Sequence, residues 1–250
     1  MIAIIDYGVG NLFSLVSSLK AIGEDAIITN NSEDIKKADK LILPGVGAFG
    51  DAIKKLRETS LDKVLIEQAQ NGKPVMGICL GMQMLFEKSY EYGEHEGLGL
   101  LKGDVVPMEN RLPEGLKIPH IGWNALKFKK SSPLFKNIQD KDCVYFVHSF
   151  YADGCEDSLI ASAEYGIEIT AAVAKGNIME EYRKQKLDKE GYDSGDAAET
   201  FSIAEKHLID PDELYQDFDM VVHPSHSENL GGAAESLMLA VPTIASNVGG

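Results

Sequence analysis

The segment Gly77-Ile78-Cys79-Leu80-Gly81 carries the strongest chemical signal in the sequence. It joins an apolar run that predicts a strand, Val75 to Cys79, to a predicted helix from Leu80 to Glu87. The glycines on either side of the cysteine allow the sharp strand-to-helix turn of a nucleophile elbow. A thiol at a helix N-terminus is stabilised as a thiolate, and the N–H of Leu80 can bind a developing oxyanion. The pattern therefore predicts Cys79 as a nucleophile; the alternative is a buried structural cysteine.

A second glycine-rich segment, Pro44-Gly45-Val46-Gly47, follows the predicted strand from Lys40 to Leu43. Active sites of open α/β sheets gather at the carboxyl ends of the strands. Two glycines allow a peptide to rotate and aim an N–H inward. This segment is a candidate part of the same site, although its sequence alone is more typical of a plain turn.

Strand and helix patterns alternate through the first part of the chain, which predicts a parallel sheet covered by helices on both faces. After Gly97 the pattern changes to strands separated by turns, which predicts an added antiparallel part. The predicted strands are Ile2–Asp6, Asp25–Thr29, Lys40–Leu43, Val75–Cys79, Asp104–Pro107, Ala125–Phe128, Val144–His148, Leu159–Glu164 and Ala171–Ala174. The predicted helices of the first part are Leu12–Ile22, Asp51–Gln70 and Leu80–Glu87.

The composition excludes several classes of protein. The 250 residues are 44% hydrophobic and 25% charged, which is typical of a globular protein, and the formal net charge is −15. Such an acidic chain repels phosphate groups, so we expect neither nucleic-acid binding nor membrane binding. The sequence has no long apolar run and no basic segment at its start, and its three cysteines lack metal-ligand spacing. These features predict a cytoplasmic protein with no metal and no cofactor.

Five segments together resemble the class I (triad) glutamine amidotransferases, and among them the glutaminase subunits of imidazole glycerol phosphate synthase. The resemblance covers about residues 1–177. It implies an α/β, flavodoxin-like amidotransferase core with a mixed sheet. The five segments are Ile5-Asp6-Tyr7-Gly8-Val9-Gly10-Asn11-Leu12, Leu43-Pro44-Gly45-Val46-Gly47-Ala48-Phe49, Gly77-Ile78-Cys79-Leu80-Gly81-Met82-Gln83, Ile118-Pro119-His120-Ile121-Gly122-Trp123-Asn124 and Tyr145-Phe146-Val147-His148-Ser149.

The resemblance implies a role for individual residues. Cys79 would attack the side-chain amide of glutamine, and the backbone N–H groups of Val46 and Leu80 would bind the oxyanion. The residues implied to hold or line the bound glutamine are Gly47, Gln83, Glu91 and Ser149.

The segment around Trp123 resembles the surface that docks on the cyclase subunit, a (β/α)8 barrel, and ammonia released at Cys79 would pass into that barrel. The alternative for Trp123 is a core or edge-packing residue, as for most single tryptophans. We interpret His120 and His148 as structural histidines rather than bases.

The sequence departs from the family after Lys175-Gly176-Asn177-Ile178. The family continues with a turn, a strand and a His-Pro-Glu segment that supplies the base and the carboxylate of the triad, whereas this chain continues Met179-Glu180-Glu181-Tyr182. The later His223-Pro224 is followed by Ser225. We therefore predict that the triad histidine and glutamate are absent and that turnover is impaired.

Residues 178–250 carry 15 acidic and 5 basic side chains, a denser negative charge than the preceding part. Their predicted strands, Phe218–His223 and Pro242–Ser246, flank a predicted helix, Gly231–Leu239, and another helix is predicted over Met179–Lys189. The segment resembles a fragment of retaining glycosyltransferases with two Rossmann domains, in which Glu228 and Glu235 would contact a nucleotide-sugar donor; a generic strand–helix–strand unit is the alternative. We predict two domains, 1–177 and 178–250, the second a partial Rossmann-like unit.

The sequence thus favours a glutaminase subunit that forms a heterodimer with the cyclase and supplies its ammonia. One alternative is a non-catalytic subunit that only binds the cyclase. The other is an amidotransferase–glycosyltransferase fusion from a surface-polysaccharide locus.

Overall fold

The computed structural model of the chain describes residues 1–136, 138–175, 200–203, 221–223 and 243–245. The described helices are α1 (Leu12–Ala21), α2 (Ser32–Lys37), α3 (Phe49–Glu58), α4 (Leu61–Gln70) and α5 (Leu80–Met84), with a short 3-10 helix at Pro133–Phe135. The described strands are β1 (Ile2–Ile5), β2 (Ala26–Thr29), β3 (Lys40–Leu43), β4 (Val75–Ile78), β5 (Lys88–Ser89), β6 (His95–Glu96), β7 (Asp104–Pro107), β8 (His120–Ala125), β9 (Lys127–Phe128), β10 (Cys143–His148), β11 (Phe150–Asp153), β12 (Leu159–Tyr165), β13 (Ile167–Lys175), β14 (Thr200–Ile203), β15 (Val221–His223) and β16 (Thr243–Ala245).

The main sheet has eight strands in the order β2-β1-β3-β4-β14-β13-β12-β9. The first five are parallel and the last three are antiparallel to their neighbours, so the predicted α/β fold with a mixed sheet is confirmed. Strands β8 and β10 form a separate antiparallel ribbon, and β11-β7-β5-β6 form a four-stranded sheet.

Strand β1 is apolar throughout because both of its faces are covered. Alternate residues of a strand point to opposite faces. In β1, Ala3 and Ile5 belong to the large core beneath α3 and α4. Ile2 and Ile4 lie on the other face, where Leu15 and the rest of the apolar side of α1 pack against them. Covering of both faces is the usual condition of a parallel sheet.

The predicted single helix from Asp51 to Gln70 is wrong, because α3 ends at Glu58 and α4 begins at Leu61. Ser60 between them has a φ of 59°, in the left-handed region that interrupts a helix. An uninterrupted helix would place Ser60, four residues after the buried Leu56, on the core side. The interruption instead buries Leu61 and Leu65 in the same core as Leu56.

Strand β14 was not predicted from the sequence. It lies between β4, to which it is parallel, and β13, to which it is antiparallel. One strand from beyond residue 177 therefore belongs to the main sheet, while the division at 177 stays a prediction.

Strands β15 and β16 lie within the two strands predicted near the C-terminus, and they pair in parallel. The predicted helices 179–189 and 231–239 fall outside the described residues. Among the helices that the structure does describe, none has both the length and the apolar character required to cross a bilayer.

A glycine-to-alanine substitution tests the packing between β3 and α5. A Cβ on Gly81 would lie 1.9 Å from the carbonyl oxygen of Leu43, so G81A requires the backbone to move. We expect a loss of about 3 kcal/mol or more in the free energy of unfolding, measured by urea denaturation. Gly23 is the control, because its φ is 80° but a Cβ there meets nothing within 4 Å. G23A should cost only about 1 kcal/mol, and an equal loss in both variants would contradict this account.

Candidate active site

Cys79 lies between the end of β4 and the start of α5, and its backbone has a φ of 54° and a ψ of −115°. This conformation is unfavourable for a residue with a Cβ and persists only when the surrounding structure enforces it. The flanking glycines show how it is enforced: a Cβ on Gly77 would lie 2.6 Å from Met82, and Gly81 touches Leu43. The predicted sharp turn at Cys79 is thereby confirmed.

Cys79 is partly exposed, unlike Cys155, which is buried. It borders a hollow of about 20 Å³, enough for about one water molecule. The residues that line the hollow come from the turn at Cys79, from α5, from β10, from β11 and from β13: Cys79, Met82, Gln83, Phe146, His148, Phe150, Tyr151 and Thr170.

The second predicted segment, Pro44 to Gly47, lies against the elbow. A Cβ on Gly45 would be 2.5 Å from the backbone nitrogen of Gly81. The hydroxyl of Tyr7 donates a buried hydrogen bond of 2.7 Å to the carbonyl of Pro44, which fixes the start of the segment. Gly47 has a φ of 88° and is exposed. The structure therefore places the peptides of Val46 and Leu80 on neighbouring loops at the same edge of the sheet.

Gln83 is the predicted glutamine-holding residue that lines the hollow. Its Nε2 donates a 3.2 Å hydrogen bond to the carbonyl oxygen of Phe150, on β11. The amide of Gln83 is thus held in place by a backbone group across the hollow.

Glu91 and Ser149 do not line the hollow. The carboxylate of Glu91 accepts a 2.5 Å hydrogen bond from the N–H of Phe49, the first residue of α3. Burial raises the pKa of Glu91, and the N–H of Phe49 opposes part of that rise. Ser149 lies between β10 and β11, where its carbonyl accepts the N–H of Met108 at 3.0 Å. Glu91 therefore contacts the residue that directly follows Gly47-Ala48, and Ser149 directly follows His148.

The sequence interpretation missed the place of His148 beside Cys79. Its Nδ1 lies 2.8 Å from the carbonyl oxygen of Phe150, and its Nε2 lies 3.0 Å from Nδ1 of His120. Both histidines have hydrogen-bond partners, as expected of structural histidines, but His148 also lines the hollow. The alternation along β10 was the available signal, because it places His148 on the same side as the buried Phe146.

An exposed apolar face lies on the ribbon of β8 and β10, which we call the Trp123 ribbon. Trp123 is 51% exposed and Ile121 is 55% exposed. Trp123 pairs with Tyr145 across the ribbon, and the two rings are 5.5 Å apart between centroids. Trp123 is therefore not a core residue, while its contact with Tyr145 leaves the edge-packing alternative open.

The predicted donor-site residues Glu228 and Glu235 lie outside the described residues, as do residues 176–199. Their roles stay predictions.

Comparison with known families gives the class of this protein. The family described as glutamine amidotransferase class-I matches residues 3–191, and the chain belongs to this family. Several solved structures share the fold, among them a crystal structure of a glutamine amidotransferase with a TM-score of 0.55 and 17% identity, covering 77% of this chain and 100% of that one. The structure of PurLQS from Thermotoga maritima has a TM-score of 0.51 at 20% identity, over 69% of this chain and 80% of that one.

Several similar curated proteins narrow the class to one enzyme: they are HisH subunits of imidazole glycerol phosphate synthase. The subunit of Caldanaerobacter subterraneus is 53% identical over 179 residues, which is 71% of this chain and 86% of that protein. The subunit of Aquifex aeolicus is 45% identical over 191 residues, which is 75% of this chain and 90% of that protein. The close homologues of this amidotransferase are therefore HisH subunits.

The histidine beside the hollow predicts a pH dependence of stability. Burial lowers the pKa of His148 from 6.5 to about 4 in the folded state, and it also lowers the pKa of His120. Between pH 4 and 6.5 the unfolded chain binds more protons at these residues, so stability rises with pH across this window. The His148 share amounts to about 3 kcal/mol.

The H148N variant should show a shallower rise between pH 4 and 6.5 in urea denaturation series, with His120 accounting for part of what remains. An unchanged slope in H148N would contradict the assignment.

Proposed function

We propose that this chain is a glutaminase subunit that uses Cys79 to release ammonia from glutamine for a cyclase partner. The observation that carries the proposal is the enforced positive φ at Cys79, which holds this partly exposed residue at the start of α5. A strained turn that presents a nucleophile in this way is the signature of an elbow. Membership of the class-I amidotransferase family supports glutamine as the substrate.

In the proposed reaction, the sulfur of Cys79 attacks the carbonyl carbon of the glutamine side chain, and the carbonyl oxygen becomes an oxyanion. The N–H groups of Val46 and Leu80 stabilise that oxyanion. The C–N bond then breaks, the nitrogen takes up a proton and leaves as ammonia, and an acyl thioester remains on Cys79. Water hydrolyses the thioester to glutamate and restores the thiol.

Glutamine would be held on both sides of the elbow. Gln83 faces the hollow with its amide fixed by Phe150. The carboxylate oxygen of Glu91 that does not accept from Phe49 is suited to the α-ammonium group of the substrate. Burial raises the pKa of this carboxylate, and a bound cation would favour its charged form. Gly47 and Ser149 complete the proposed pocket with backbone groups.

Turnover by this chain is expected to be slow, because the sequence lacks the His-Pro-Glu segment of the family. Loss of a general base typically costs about 10²–10⁴-fold in rate. His148 is a poor replacement, since burial lowers its pKa to about 4.

The partner in this proposal is a cyclase subunit of the (β/α)8 type, as in the enzyme named for the HisH relatives. The Trp123 ribbon is the proposed contact, because it exposes a flat apolar face formed by neighbouring side chains of two paired strands. The proposed compartment is the cytoplasm, where this enzyme would meet its partner.

The substitution C79A tests the nucleophile. The cyclase with this subunit should lose glutamine-dependent product formation in C79A, because no thioester can form. It should keep the activity supported by ammonium salts, because the cyclase site is unchanged. If the unsubstituted chain supports the ammonium reaction alone, it is a docking subunit without glutaminase activity, and the proposal fails.

The substitution W123A tests the docking face. Removal of a central aromatic side chain from an interface typically weakens binding by about thirtyfold. We expect this loss in the Kd for the cyclase, measured by calorimetry. The control is I28A, which truncates a side chain that is 43% exposed on the opposite edge strand β2. Equal affinity of W123A and I28A would exclude the Trp123 ribbon as the docking face.

A further inference from the structure

A row of close polar contacts runs from the hollow beside Cys79 along the inward side of the Trp123 ribbon. At one end, the carbonyl of Phe150 accepts from Nε2 of Gln83 at 3.2 Å, and Nδ1 of His148 lies 2.8 Å from the same oxygen. Nε2 of His148 lies 3.0 Å from Nδ1 of His120, and Nε2 of His120 lies 2.8 Å from Oδ1 of Asn124. Asn124 follows Trp123 directly on β8.

Packing fixes the middle of this row. His120 is 1% exposed, and its ring stacks on that of Tyr165 at a centroid distance of 3.9 Å and on that of Phe146 at 5.1 Å. The amide nitrogen of Asn124 donates a 2.8 Å hydrogen bond to the carbonyl of Glu164 on β12, which ties the ribbon end to the main sheet. The ring of His120 therefore has no room to turn, and its two nitrogens keep their directions.

The acceptors determine the direction of the bonds. A carbonyl oxygen can only accept, so the nitrogen of His148 that faces Phe150 carries the proton. Nε2 of His148 is then the acceptor in the neutral ring, and Nδ1 of His120 donates to it. Nε2 of the neutral His120 carries no proton, so its contact with Oδ1 of Asn124 joins two acceptors and the row of hydrogen bonds ends at His120. Both histidine donors thus point toward the carbonyl that also holds Gln83.

We propose that His148 is a positioning residue of the glutamine pocket, which holds Gln83 through the carbonyl of Phe150, and that His120 positions His148 by donating to its Nε2. This inference rests on the proposed function, because it assigns to the chain a role in binding glutamine. Neither histidine is a base or a nucleophile in this account. The carbonyl of Phe150 is fixed from one side by His148 and holds Gln83 on the other, so loss of His148 frees the amide that would contact the substrate.

The test compares two reagents for Cys79 on the full chain. One is a chloroketone analogue of glutamine, which must bind in the pocket before it alkylates the sulfur. The other is methyl methanethiosulfonate, which reacts with a thiol without binding as an amino acid. Labelling is measured on the peptide that contains Cys79, because Cys143 is also exposed.

In H148F, we expect the half-saturating concentration of the chloroketone to rise about three- to tenfold, the effect of one hydrogen bond. The rate with methyl methanethiosulfonate should not change, because the elbow is intact. H148N should recover most of the affinity, since its amide nitrogen takes the place of the Nδ1 donor to Phe150. The matched control is Y165F, which keeps the ring stacked on His120 and removes only the hydroxyl that bonds the carbonyl of Lys117.

The outcomes separate the two proposals. Saturable labelling of the unsubstituted chain with an unchanged half-saturating concentration in H148F overturns the positioning role and leaves the glutaminase proposal standing. No saturable labelling of the unsubstituted chain overturns the glutamine site and the positioning role together. Equal losses in both reagents for H148F would mean a general disturbance of the elbow and would also overturn the positioning role.

A measurement without any substitution gives an independent check should H148F fail to fold. The ¹⁵N shifts of the imidazole nitrogens report which nitrogen carries the proton. We expect His148 to be neutral at pH 7 with its proton on Nδ1. A proton on Nε2 alone would break the hydrogen bond to Phe150 and overturn the proposal.

Discussion

The structure of the site depends on one steric constraint, the close approach of the turn after β4 to the end of β3. Gly81 touches the carbonyl of Leu43, and Gly77 touches the backbone of Met82. These contacts leave no other path for the chain at Cys79, whose φ of 54° is unfavourable in isolation. The thiol is presented at the carboxyl edge of the sheet because backbone packing on both sides of it outweighs that local cost.

The hydrogen bonds around the hollow extend this rigidity in a second direction. The elbow is fixed by backbone contacts within the parallel part of the sheet, whereas Gln83 is fixed from the antiparallel part through Phe150 and His148. The hollow thus lies between the parallel and the antiparallel parts of the molecule. Pockets between such layers are common, because groups from different elements can converge there while each remains rigid.

The two faces of the ribbon of β8 and β10 make different contacts. Its inward residues, His120 and His148, belong to the row of polar contacts, and its outward residues, Trp123 and Tyr145, form the exposed face. The alternation of a two-stranded ribbon makes this arrangement possible, because neighbouring residues point in opposite directions. A partner seated on the outward face would therefore contact the same two strands that carry His120 and His148.

The sequence by itself determined the elements that depend on local pattern. The apolar runs predicted β1, β3 and β4, and the spacing of glycines around Cys79 predicted the turn, since these features follow from period and steric freedom. The spacing of apolar residues could not determine the break at Ser60. It is compatible with one long helix, and only the packing of Leu61 and Leu65 in the core requires two. The sequence pattern could not place β14 between β4 and β13, because the position of these four residues is set by their neighbours in the sheet. Tertiary structure alone decided that His148 would face the same hollow as Cys79, since only packing brings the end of β10 to the start of α5.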